Sequence, residues 1–113
     1  MSAITTHVLD LVAGSPASDV AVSLWRREDA EEWTHIADGR TDGDGRVHDL
    51  LGGPLEGPGT YRLSFQVGEY FESRNQPTFY PAVDITFSVT DAVQHYHVPL
   101  LLSRFGYSTY RGS

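Results

Sequence analysis

Of the five histidines in this 113-residue chain, His7, His95 and His97 sit inside segments that alternate like β-strands, where a side chain is held rather than loose. His7 lies in the segment 4–10, on the face it shares with Thr5 and Leu9. His97 lies in the segment 94–102, on the face of His95, Pro99 and Leu101. Imidazole titrates near neutral pH, so a strand-borne histidine can take a proton from water or return one to a leaving group. His95 and His97 are also spaced i, i+2, which puts two rings on one side of a strand and leaves a metal pair open. No acidic partner is marked out by spacing. Arg46 follows the turn Asp42-Gly43-Asp44-Gly45, which would aim a planar donor fork suited to carbonyl oxygens and oxyanions. That turn begins like a calcium loop, but the glutamate due at the twelfth position is missing, so a hairpin turn is the expectation. Near the end of the sequence, Ser108 and Tyr110 alternate on one face, with Ser113 beyond Gly112. His35 and His48 fall near turns and are expected at the surface.

Composition narrows the chemistry. The chain has no cysteine, which removes a thiolate nucleophile and cysteine-ligated zinc. Its formal charge is -7, and its basic residues, all arginine, form no cluster, so phosphate backbones and anionic membranes are poor partners. No Gly-x-Ser-x-Gly elbow and no phosphate-binding glycine loop occurs. No basic region followed by an apolar stretch opens the chain, and no apolar run reaches spanning length. A soluble cytoplasmic protein is expected, as one domain over residues 1–113.

The elements that must position these residues are short. Strands are expected over 4–10, 20–26, 33–39, around 46–48, and over 60–67, 83–89, 94–102 and 107–111, with turn residues between them. One helix of about two turns is expected over 69–75. In 20–26 the residues Val20, Val22 and Leu24 share a face; Leu100 to Leu102 can be buried; and the apolar, aromatic end of the sequence should belong to a packed strand. Eight short strands and one helical turn suggest an antiparallel β-sandwich.

Taken together, several segments resemble one family. They are Thr5-Thr6-His7-Val8-Leu9-Asp10, the turn Asp44-Gly45-Arg46, Phe79-Tyr80-Pro81, the run His97-Val98-Pro99-Leu100-Leu101 and Tyr110-Arg111-Gly112-Ser113. In this order they are similar to the transthyretin-related 5-hydroxyisourate hydrolases, and the resemblance spans essentially the whole chain. It implies an all-β fold, a transthyretin-like antiparallel β-sandwich of two four-stranded sheets with one short helix. It further implies a homotetramer with sites in a channel at the dimer–dimer interface. The activity implied is hydrolysis of 5-hydroxyisourate to 2-oxo-4-hydroxy-4-carboxy-5-ureidoimidazoline in urate degradation, with no cofactor or metal. The site residues it implies are His7, Arg46, His97 and Ser113, with Tyr110 lining the pocket. The hormone-carrying transthyretins lack the two histidines, the arginine and the terminal tetrapeptide, so a non-catalytic carrier is the weaker expectation. Arg104 stands where the family commonly has proline.

Overall fold

A computed structural model describes residues 3–47, 50, 51 and 53–113. The strands are β1 (Ile4–Asp10), β2 (Ser15–Pro16), β3 (Ala21–Arg27), β4 (Trp33–Arg40), β5 (Gly59–Phe65), β6 (Val83–Val89), β7 (Tyr96–Leu102) and β8 (Tyr107–Thr109). They form two four-stranded sheets, ordered β2-β1-β7-β8 and β4-β3-β5-β6, packed as a sandwich. Alternation builds the core as expected. Ile4, Val8, Val98 and Leu100 from the first sheet meet Val22, Leu24, Leu63 and Phe65 from the second, all buried.

The helix α1 (Val67–Glu72), the one helix among the described residues, begins two residues earlier than its sequence signal. It buries Val67, Tyr70 and Phe71, the i, i+3, i+4 face that a helix presents to a core. Tyr70 reaches across to β1, where its hydroxyl donates to Asp10 Oδ2 at 2.6 Å. Asp10 is buried, and its Oδ1 accepts the Val12 and Ala13 N–H groups at 2.9 and 3.0 Å. Both oxygens of this buried carboxylate are therefore engaged in holding the fold.

Two departures from the sequence reading concern the first sheet. Five strand pairings are antiparallel, but β1 and β7 run parallel, with Thr5 opposite His97 and His7 opposite Pro99. Alternation fixes a strand's faces and carries no information on its direction against a distant partner. The expected strand around 46–48 is replaced by an isolated bridge between Arg46 and His7, with His48 outside the described residues. The eighth strand is instead β2, which with residues 45–46 covers the outer edge of β1. Arg104 closes the β7–β8 turn onto a neighbouring loop: its Nε donates to Pro77 O at 2.8 Å, and its carbonyl accepts from Phe79 N at 2.9 Å.

Candidate active site

The outer face of the first sheet gathers the residues singled out above. In β1 the inward set is Ile4, Thr6, Val8 and Asp10, so Thr5, His7 and Leu9 point outward. In β7 the inward set is Tyr96, Val98, Leu100 and Leu102, so His97 and Leu101 point the same way as Thr5 and His7. Parallel register then puts Thr5 beside His97, with His7 two residues further along.

Arg46 reaches this face because its turn is pinned at several points. Asp42 Oδ1 accepts the N–H groups of Asp44 and Arg46 at 2.8 and 3.1 Å, and Asp42 N–H donates to Arg46 O at 2.8 Å. The carboxylate thus caps its own turn, as Asp commonly does, rather than facing outward as a calcium ligand would. Gly45 has φ +75°, and its carbonyl accepts the Val8 N–H at 2.8 Å. Any β-carbon there would strike the Val8 carbonyl oxygen, so glycine is needed for both φ and closeness.

The end of the sequence closes the other side. Gly112 N–H donates to His97 O at 2.8 Å, which lays Ser113 beside the imidazole. Thr5, Thr6, Arg46, Val47, His95, His97 and Ser113 line an open hollow of about 340 Å³. His7 flanks it through its pairing with Arg46. Tyr110 does not share it: that residue is 58% exposed and lines a separate hollow with Tyr96, Phe87 and Arg111. A larger hollow of about 450 Å³ runs over the second sheet past Ser23, Asp38 and Arg40, with no histidine in it.

The electrostatics favour a neutral His97. Burial lowers its pKa below the ordinary histidine value, and the charges of Arg46, His95 and His7 push it further the same way. His97 Nδ1 and His95 Nε2 lie 2.8 and 2.9 Å from one atom, Thr5 Oγ1. The spacing that left a metal pair open therefore converges on a threonine hydroxyl. Among the described residues, no group of three or more His, Cys, Asp or Glu side chains gathers. Thr5 is the residue that sequence reasoning passes over. Alternation puts it on the right face, but its meeting with His97 depends on the parallel register.

A transthyretin-like sandwich whose outer face holds histidines and an arginine around a small open hollow is a scaffold for acid–base work on a compact ligand. The comparisons agree with the architecture. The HIUase/Transthyretin family model matches residues 4–112, and the chain belongs to that family. It is 46% identical over 117 residues to a 5-hydroxyisourate hydrolase from Caulobacter vibrioides, covering 100% of both chains. Among solved structures it is similar to Klebsiella pneumoniae 5-hydroxyisourate hydrolase, at 33% identity and TM-score 0.83, over 97% of this chain and 92% of that one. It is also similar to transthyretin from Sparus aurata, at 30% identity and TM-score 0.90, over 99% and 97%. The backbone alone therefore does not separate hydrolase from transthyretin, and the side chains of the hollow must.

Proposed function

We propose that this chain is a 5-hydroxyisourate hydrolase, opening the substrate's six-membered ring with water at a cyclic amide bond. The observation that carries the reading is the shared hollow of Arg46, His97 and Ser113, flanked by His7, in a chain 46% identical along its full length to such a hydrolase. One of His7 and His97, neutral at working pH, takes a proton from the attacking water. The other orients that water or returns a proton to the leaving nitrogen. The Arg46 guanidinium holds the substrate's carbonyl oxygens and stabilises the charge that develops on them, often the largest single contribution at such sites. Ser113 bonds the ring or the water.

A homotetramer completes the reading. The outer face of the first sheet also carries Leu9 and Leu101, and the turn beside it exposes Leu11 and Val12. An apolar face of this kind is suited to burial against other copies. The sites then lie in a channel between dimers, and Tyr110 lines that channel rather than the hollow of its own chain. A fully active monomer in light scattering would refute the shared channel.

The decisive experiment follows the ultraviolet absorbance of freshly made 5-hydroxyisourate with and without the protein. Hydrolysis gives a decay rate proportional to protein concentration; a rate unchanged by protein favours the carrier. His7→Ala and His97→Ala should each lower kcat by ~10²–10⁴-fold, the usual contribution of a positioned acid or base. A variant that retains near-normal kcat would remove that residue from the mechanism.

A further inference from the structure

The ring of His97 is held on two edges. Its Nδ1 lies 2.8 Å from Thr5 Oγ1, and its Cδ2 edge packs on Gly112, where a β-carbon would come within 2.5 Å of it. Nε2 is the nitrogen left over, and it makes no hydrogen bond among the described residues. Whether Nε2 can accept a proton depends on which ring nitrogen carries the hydrogen in the neutral form. That choice is made at Thr5.

A threonine hydroxyl has one hydrogen to donate and lone pairs to accept with. Thr5 Oγ1 faces two acceptor-capable ring nitrogens, His97 Nδ1 and, at 2.9 Å, His95 Nε2. It can donate to only one of them. If it donates to His97, that ring carries its hydrogen on Nε2 and is useless as a base. If it donates to His95, His97 holds its hydrogen on Nδ1, gives it to Thr5 Oγ1, and keeps the Nε2 lone pair in the hollow. Two features decide between these. Arg46 lines the same hollow as the His97 ring and its charge acts on that ring, and a guanidinium favours a lone pair over an N–H facing it. His95 is exposed, so its own Nδ1–H is left to water.

We propose that Thr5 is a positioning residue of the reaction: with His95 it fixes the His97 ring and keeps the lone pair on Nε2, so that His97 is the base. This rests on the hydrolase reading above. The water proton moves to Nε2, and the water oxygen bonds to the ring carbonyl carbon. The proton then leaves with the ring nitrogen as the C–N bond breaks. Thr5 accepts the same Nδ1–H before and after the transfer, so nothing around the ring has to turn.

The test compares wild type, Thr5→Val and Thr5→Ser. Valine keeps the β-branched shape suited to a strand and removes the hydroxyl; serine restores the hydroxyl. The His97 tautomer is read in the free protein from nitrogen–proton correlation spectra of ¹⁵N-histidine-labelled samples. Wild type and Thr5→Ser should show the hydrogen on Nδ1, and Thr5→Val a mixture. In Thr5→Val, kcat should fall about fivefold or more, the worth of one net hydrogen bond, with KM little changed and serine restoring it. A wild-type His97 with its hydrogen on Nε2 overturns the proposal, as does a valine variant with unchanged tautomer or unchanged kcat. Because the spectra need no substrate, protein that fails to hydrolyse 5-hydroxyisourate yet shows the tautomer shift refutes the hydrolase reading and upholds the ring assignment.

Discussion

Replacing Gly112 by alanine should separate activity from stability. A β-carbon at Gly112 would lie 2.5 Å from His97 Cδ2, 3.2 Å from Cγ and 3.4 Å from Cβ. Carbon atoms pack best at about 3.5–4.0 Å, so ring and tail must part by roughly 1 Å. The ring cannot yield freely, because Thr5 Oγ1 holds its opposite edge at 2.8 Å. Either the imidazole leaves Thr5 or the segment carrying Ser113 lifts, and both displace a group of the hollow. A misplacement of about 1 Å can lower turnover on the order of 10²-fold. The stability loss should be small, because the tail follows an outer strand and can give way. It should fall near the low end of the ~1–3 kcal/mol typical of overpacking, or about 4 °C in thermal midpoint. Gly106→Ala is the control, since a β-carbon there meets nothing within 4 Å. The measurements are steady-state hydrolysis of 5-hydroxyisourate and a thermal melt. Normal kcat/KM in Gly112→Ala would show that the tail does not set the position of His97.

Further expectations follow from His97, from the Tyr70–Asp10 pair and from the end of the sequence. Because burial and then Arg46 lower the His97 pKa, the neutral base persists into mildly acid solution, and the acid limb of kcat/KM should fall below about 6.5, the unperturbed value; a limb at or above that value refutes it. Within that window the unfolded chain binds the extra proton, so this group's contribution to stability is present above about pH 6.5 and is lost as pH falls through the lowered value. Tyr70→Phe removes the donor from buried Asp10 Oδ2 and should destabilise the fold by ~1.5–3 kcal/mol in urea melts, with turnover per folded molecule unchanged; a loss under ~0.5 kcal/mol would show the bond to be idle. Burial, and then the bond to Asp10, hold the Tyr70 pKa up to about 12, so the same pair should weaken as pH rises from about 10 towards that value. Removing residues 110–113 deletes the Gly112 N–H bond to His97 and takes Ser113 from the hollow, so activity should fall far more than the ~0.5–3 kcal/mol expected in stability; a truncated chain with normal turnover would exclude Ser113.

Much of this protein is written in its sequence because the information is local. Alternation along 4–10 and 94–102 sets which side chains face the core, and that pattern by itself turns His7 and His97 outward. The Asp42–Gly45 turn is legible because its hydrogen bonds run within five residues, and the resemblance of short motifs along the chain names the fold family. Two local readings fail. The strand expected around 46–48 is represented among the described residues by a bridge at Arg46, and the helix starts at Val67 because that residue's burial outweighs a weak helix signal. What requires the tertiary structure is every meeting between distant segments. Periodicity is blind to direction, so the parallel β1–β7 pairing cannot be read from it, and neither can the contact between Thr5 and the histidines 90 and 92 residues away. The packing of His97 on Gly112 and the separation of Tyr110 from the hollow are hidden for the same reason. Sequence chose the chemical groups and their faces, and the register between strands, a long-range property sustained by the whole core, chose which of them touch.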